Sequence, residues 1–216
     1  SYHLLKHNKG KGVMIGQMDD MDPRAVTVIG AGVAGTQSIL KAIDNKALVK
    51  VVDSSQTKLD DLKSKYGSNN IEYILSTKDS IQVSINESDL VIGSVYVVGK
   101  EAPKVITREM LSSMNPGTVM VDVSIDQGGC FESSKPTTHD SPTFLENDIV
   151  HYCVTNMPGA VPLTATEALN KVSLSYVENL ANNGIKNALN SDEHLRNGLN
   201  ILDGRIVHPA VKEALE

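Results

Sequence analysis

Short β-branched apolar runs alternate along this chain with longer stretches in which apolar residues recur at helical spacing. Ala25 to Ile29 is a compact apolar run that stops at Gly30, which predicts a buried strand. Behind it, Val33, Ile39, Leu40 and Ile43 give Val33 to Ile43 the spacing of a helix. Val49 to Val52 is a second predicted strand, with Asp53 at its end. Thr57 to Tyr66 reads as a polar-faced helix built on Leu59 and Leu62 and stopped by Gly67. Glu72 to Leu75 is a weaker third strand. Leu90 to Ile92 and Val119 to Val123 follow, the latter launched by the turn Asn115-Pro116-Gly117, and Ile149 to Val154 is the last. Strands alternating with helices imply crossover connections, hence an α/β fold with a doubly wound parallel sheet covered on both faces. From Pro162 onward the pattern turns helical: Thr164 to Asn182 is long, Ser191 to Leu199 is shorter, and no strand is expected there.

Composition sharpens this picture. Across 216 residues, 40% are apolar and 21% charged, so the chain can bury a core and is not a disordered tail. The apolar run from Val91 to Val98 is too short and broken to cross a bilayer. A net charge of −6 argues against a general nucleic-acid binder. Ser1 to Gly12 is polar and basic, without the apolar stretch of a signal peptide. Cys130 and Cys153 stand in no paired motif, so neither a disulfide framework nor a structural zinc site is expected, and no cluster has metal-ligand spacing. Reduced thiols in an acidic chain point to the cytoplasm.

Gly30-Ala31-Gly32-Val33-Ala34-Gly35 is a G-x-G-x-x-G run. The pattern alone is weak, but here it follows a predicted strand and opens a predicted helix. Asp53 then ends the next strand, close to the spacing of a ribose-binding acid. This context predicts a Rossmann-type dinucleotide site. Gly30 permits the tight turn, Gly32 lets the backbone approach a diphosphate, and Gly35 lets the helix pack closely on the sheet. The amides opening the helix would hold the diphosphate. Asp53 would accept hydrogen bonds from the adenosine ribose and repel a 2′-phosphate, favouring NAD over NADP. A glycine turn beside a surface Asp is the plainer alternative.

A second constellation follows the strand Val119 to Val123: Ser124-Ile125-Asp126-Gln127-Gly128-Gly129-Cys130. Ligands in open parallel sheets gather at the carboxyl ends of strands. Asp126 could there transfer a proton or support a cationic amine or imine. It could equally cap a turn before two glycines.

Several runs together resemble the alanine dehydrogenase family: D-V-S-I-D-Q-G-G-C, K-P-T-T-H at Lys135 to His139, and Y-C-V-T-N-M-P-G-A-V-P at Tyr152 to Pro162. L-V-I-G-S-V (Leu90 to Val95) and A-P-K-V-I-T-R-E-M (Ala102 to Met110) agree. The resemblance covers essentially the whole chain. It implies an enzyme that deaminates L-alanine oxidatively to pyruvate and ammonia with NAD, and runs the reverse. Carried over position by position, cofactor contacts fall on Val33 and Ala34 in the turn and on Asp53 and Lys58 beside the ribose. Ser76, Val95 and Tyr96 fall along the adenine and ribose side. Val123, Ser124, Ile125, Asp126, Lys135, Val154, Thr155, Asn156 and Met157 surround the rest. Asp126 matches the family's catalytic aspartate, and Lys135 stands where the family more often has Arg.

The resemblance further implies three parts. Residues 1–8 would be a remnant of the family's linking helix and residues 9–157 the NAD-binding domain. Residues 158–216 would be C-terminal helices of a substrate domain that is otherwise incomplete. The family's substrate-carboxylate Arg, substrate Lys and catalytic His have no counterpart in these residues, so the chain by itself is expected to bind NAD(H) without efficient turnover. None of its six His has the spacing of a replacement. Apolar stripes on the C-terminal helices, including Leu169, Val172, Val177 and Leu180, favour a homo-oligomer. Two alternatives remain: a non-catalytic NAD(H)-binding module and a transhydrogenase alpha-subunit fragment. The family's Gly-containing turn before the second strand is replaced by Asp44-Asn45-Lys46-Ala47-Leu48, and the loop before the first strand is acidic, Gly16 to Pro23.

Overall fold

The computed structural model describes residues 1–97 and 101–215, so the end of the apolar run at Val98 lies outside the described residues. They group into two units, residues 1–97 with 101–155, and residues 156–215.

The first unit holds a seven-stranded sheet. Its strands are β1 (Ala25–Ile29), β2 (Leu48–Asp53), β3 (Ile71–Leu75), β4 (Leu90–Gly93), β5 (Val119–Asp122), β6 (Thr143–Glu146) and β7 (Ile149–Tyr152). They lie in the order β3-β2-β1-β4-β5-β7-β6. All pairs are parallel except β6 with β7. The chain steps outward from β1 through β2 to β3, then crosses back to lay β4 on the other side of β1. That reversal opens a crevice at the carboxyl ends of β1 and β4, where open α/β sheets bind ligands.

The near-continuous apolar strands reflect burial on both faces. Val26, Val28, Val49 and Val51 pack with Ile39 and Ala42 of α1 (Val33–Asp44) and Leu59 of α2 (Gln56–Tyr66). Ile29, Val52, Val91 and Met120 pack with Ile81 and Ile85 of α3 (Lys78–Asn86) and Met110 and Leu111 of α4 (Arg108–Leu111). Two polar residues in these strands carry their own partners. Thr27 shares a 2.6 Å hydrogen bond with Ser88, and the buried Lys50 ammonium pairs with Glu87 and, at 3.9 Å, Glu72. α3 was not foreseen from apolar spacing; a Thr77/Ser80 capping box starts it.

The antiparallel edge is a departure from the expected parallel sheet. β6 and β7 are joined by Asn147 and Asp148, whose φ of 50° and 59° make a two-residue hairpin turn that matches the sheet twist. The opening residues also differ from a helix remnant. Tyr2–Leu4 and Lys6–Asn8 form separate 3-10 turns, broken at Leu5 by an extended backbone, with Leu4 buried. Lys46 takes a left-handed φ of 58°. The Lys46 and Ala47 amides there bond the Ile43 and Ala42 carbonyls and close α1 in a Schellman motif.

The second unit begins with a 3-10 turn at Met157–Ala160, followed by α5 (Pro162–Ser191) and α6 (Glu193–Asn197). Gly184, at φ 71° and ψ 160°, interrupts α5 just past the expected helix end at Asn182. The expectation of no strands is corrected here: β8 (Ile201–Leu202) and β9 (Arg205–Ile206) pair across Asp203-Gly204, and α7 (Pro209–Leu215) follows. Both turn residues have positive φ, and Asp-Gly is a strong hairpin dipeptide. Leu169, Val172 and Val177 are exposed, while Leu180 is half-buried. Among the described residues no helix is long and apolar enough to cross a membrane.

Candidate functional site

The glycine run forms the turn between β1 and α1, and its geometry is fixed by what cannot fit. Gly30 has φ +95°, and a Cβ there would lie 2.6 Å from the Ser94 carbonyl oxygen. At Gly35 a Cβ would lie 1.8 Å from the Gly30 oxygen, so any side chain would push α1 off the sheet. A Cβ on Gly32 would meet nothing within 4 Å; space stands open above the backbone. Gly32 is the N-cap of α1 and supplies no side-chain acceptor, whereas Ser55 and Thr77 cap α2 and α3 through side-chain oxygens. The first-turn amides of α1, which have no intrahelical acceptor, therefore face the open space with their partial positive charge.

That space belongs to a cleft of about 610 Å³, lined by Gly30, Gly32, Val33, Ala34, Asp53, Ser54, Lys58, Ser94, Val95, Tyr96, Val123, Ser124 and Gln127. At its β2 end, the Asp53 carboxylate accepts from the amides of Ala31 at 2.7 Å and Ser55 at 2.8 Å, with the Lys58 ammonium 3.9 Å away. A carboxylate has about four acceptor positions, so both oxygens retain capacity toward the cleft. Lys58 partly offsets its charge.

At the other end, the Ser94 hydroxyl, beyond β4, bonds the carbonyl of Gly30 at 2.8 Å and ties the glycine turn to the neighbouring strand. The Ser124 hydroxyl bonds the Val95 carbonyl at 2.7 Å. Below them lies Asp122, fully buried at the end of β5. It accepts from the amides of Ser124 at 3.0 Å, Cys130 at 2.8 Å and Phe131 at 3.3 Å, and from the Ser134 hydroxyl at 2.5 Å. The loop of residues 124–130 thus wraps a carboxylate. Asp126 rides on this loop, exposed, in the 3-10 turn Ile125–Gln127.

Of the residues singled out from sequence, Gly30, Gly32, Val33, Ala34, Asp53, Lys58, Val95, Tyr96, Val123 and Ser124 line the cleft together. Gly35 lies beneath the turn, and Ile125 is buried under the loop. The Ser76 amide bonds the Asp53 carbonyl at 2.9 Å, which sets Ser76 beside that acid at the end of β3. Lys135 lies apart from the cleft lining: its ammonium is 3.6 Å from Glu146 and 5.4 Å from the centre of the Phe144 ring, both on β6. Val154 is fully buried, with Thr155 next to it, and Asn156 and Met157 belong to the second unit. Ser54, Ser94 and Gln127 were missed. They sit directly after a strand or beside Asp126, and the rule that ligands collect at strand carboxyl ends would have found them.

The Cys130 thiol lies 3.5 Å from the Asp122 carboxylate, and the Cys153 thiol 3.8 Å from the Ser134 hydroxyl that donates to the same carboxylate. Burial pushes the Cys130 thiol far up and the Cys153 thiol to about 11, so both remain protonated. His151 is equally buried, with Nδ1 at 3.0 Å from the Ile149 carbonyl and Nε2 at 2.8 Å from the Ser133 hydroxyl. The carbonyl requires a proton on Nδ1, which leaves Nε2 to accept from Ser133. Burial, assisted by Lys135 and Arg108, holds its pKa below the usual 6.5 against the opposing pull of the Ile149 carbonyl and Asp122.

An alanine dehydrogenase of Halomonas elongata is 46% identical over 214 residues, 99% of this chain. The chain spans 57% of that relative's length. A solved L-alanine dehydrogenase superposes with a TM-score of 0.89 at 41% identity, covering 99% of this chain and 59% of that one. A transhydrogenase from Sinorhizobium meliloti shares the fold, with a TM-score of 0.75 at 22% identity, covering 94% of this chain and 59% of that one. The profile of the family described as "Alanine dehydrogenase/PNT, C-terminal domain" matches residues 1–209, and to that family this chain belongs.

Proposed function

We propose that these residues are the NAD(H)-binding part of an alanine dehydrogenase, which converts L-alanine, NAD and water to pyruvate, ammonia and NADH and runs the reverse amination. One observation carries the reading: the open space over Gly32, faced by uncapped helix amides, lies in the same cleft as the Asp53 carboxylate. A dinucleotide presents a diphosphate and a ribose diol that match these two features. The name borne by the 46% identical relative and the 41% identical structure supports the alanine reaction over the transhydrogenase reading, whose likeness is one of fold.

The chain's own groups divide the work. The amides of Gly32, Val33 and Ala34 hold the diphosphate. Asp53 binds the ribose hydroxyls and repels a 2′-phosphate, favouring NAD over NADP, with Lys58 beside it. Ser76, Val95 and Tyr96 border the adenosine side; Val123, Ser124, Ile125, Val154 and Thr155 border the rest. Lys135 reaches the cofactor only by leaving Glu146. When bound, the nicotinamide ring supplies the hydride acceptor. Asp126 holds or moves a proton, or supports positive charge on the substrate nitrogen. The protein acts in the cytoplasm, and the exposed Leu169, Val172 and Val177 support self-association.

Substrate positioning is worth many powers of ten in rate. A polypeptide of these 216 residues is therefore expected to bind NADH and to form little or no NADH from L-alanine. Calorimetric titration with NADH tests the binding. Asp53→Ala should weaken it about tenfold through loss of charged hydrogen bonds, and Asp126→Ala should leave it nearly intact. A wild-type chain that does not bind NADH sinks the reading. Robust NADH formation from L-alanine by these residues alone would overturn the proposed division of labour.

A further inference from the structure

The loop of residues 124–130 is gripped from two sides. Its inner side is the Asp122 carboxylate described above. On the outer side, residues 102–106 run along the loop as a short backbone ladder. The Ala102 amide bonds the Gln127 carbonyl at 2.9 Å, the Val105 amide bonds the Cys130 carbonyl at 2.8 Å, and Ile106 bridges Phe131. Between those rungs the ladder fails. Pro103 has no amide hydrogen to donate, and Gly128 and Gly129 both take left-handed φ, +88° and +76°, which swings their carbonyls out of register. The Lys104 ammonium spans this gap, donating to the Gly128 carbonyl at 2.5 Å and the Gly129 carbonyl at 2.6 Å. Gly129 has no room to adjust inward, because a Cβ there would lie 2.8 Å from Asp122 Oδ2. The amides at the two ends of the loop, Ser124 and Cys130, therefore turn toward a buried anion, those of Gln127, Gly128 and Gly129 donate within the loop, and two of its carbonyls turn toward a cation.

This loop contributes Ser124 and Gln127 to the cleft, at the end away from Asp53. With the diphosphate over Gly32 and the adenosine ribose at Asp53, that end receives the nicotinamide half. We propose that Lys104 is a positioning residue: together with Asp122 it braces the loop so that Ser124, Asp126 and Gln127 stand ready for the nicotinamide riboside. The proposal rests on the dinucleotide reading of the cleft. Lys104 is not among the described residues that line the cleft; it acts through the loop. Its side chain is exposed, so the carbonyls it releases on mutation are taken up by water and the fold should persist.

ADP-ribose, which has the diphosphate and both riboses but no nicotinamide, separates the two halves. Calorimetric titrations of the full chain, as wild type, Lys104→Met and Lys104→Arg, are compared for NADH and ADP-ribose, alongside thermal unfolding. Lys104→Met should weaken NADH about tenfold, equal to about 1.4 kcal/mol, and leave ADP-ribose within about twofold and the unfolding midpoint nearly unchanged. Lys104→Arg, which keeps the cation, should recover most of the NADH affinity. A variant that binds NADH like wild type, or loses both ligands equally, overturns the brace and leaves the dinucleotide reading standing. A wild-type chain that binds neither ligand overturns both.

Discussion

The glycine turn at residues 30–35 and the loop at residues 124–130 border one cleft and are held by opposite means. The turn is shaped by excluded volume: Gly30 and Gly35 are required because a Cβ would strike the Ser94 or Gly30 backbone. The loop is shaped by charge, with Asp122 inside and Lys104 outside. Steric exclusion, whether from Gly30 five residues before Gly35 or from Ser94 on the neighbouring strand, tolerates one residue type. Ionic bracing draws on groups far apart in sequence, Lys104 being 24 residues from Gly128. The first kind of site should therefore fail through crowding and the second through orphaned hydrogen-bonding groups.

Three experiments would break or sharpen that contrast. The largest effect is expected for Asp122→Ala, which removes the shared acceptor of three backbone amides at a fully buried position. Orphaned buried donors cost about 1–3 kcal/mol each, and with partial relaxation a loss of about 4 kcal/mol is expected in denaturant unfolding. A loss below about 1 kcal/mol would show that the carboxylate does not organise the loop. Next comes Gly35→Ala, where overpacking against Gly30 should cost about 3 kcal/mol and weaken NADH binding along with stability. If Gly35→Ala folds and binds NADH like wild type, the steric account of the turn is wrong.

The smallest effect concerns acid. The loop side adjoins His151, whose partner Ser133 neighbours the Ser134 bound to Asp122. Because the folded pKa of His151 lies below 6.5, the unfolded chain takes the proton first. Stability is then fully present above about pH 6.5 and falls as pH drops from there toward the folded pKa, by no more than about 1.4 kcal/mol per pH unit. The glycine turn has no titratable side chain. Urea unfolding between about pH 7 and 5.5, with His151→Gln as control, should show a slope in wild type that flattens in the variant; an equal slope in both would clear His151 of the effect.

Much of the first unit was legible in the order of residues. Buried strands such as Ala25–Ile29 read directly because both faces are covered and only Thr27, whose hydroxyl pairs with Ser88, interrupts the apolar run. The G-x-G-x-x-G run and Asp53 were legible because the geometry they serve is short-range. α3 was obscure, since its start lies in the side chains of Thr77 and Ser80 rather than in an apolar stripe. β6 was obscure because its hairpin uses Asn147-Asp148 in place of a glycine turn, and β8 and β9 because each is only two residues long. Lys135 shows a different limit. A residue carried over by resemblance can find a nearer partner, here Glu146, which its position in the sequence does not reveal.

By itself, then, the amino-acid sequence determined the alternation of strand and helix, the place of the tight bend and the acid opposite it, because each depends on residues within one strand-helix-strand unit. Only the tertiary structure decided that Asp122 is a buried hub, that Lys104 closes a break in a backbone ladder, and that Ser54, Ser94 and Gln127 share one cleft. Those roles come from strands and loops meeting across the sheet, where a charge gains or loses its meaning according to what folding brings within hydrogen-bond distance.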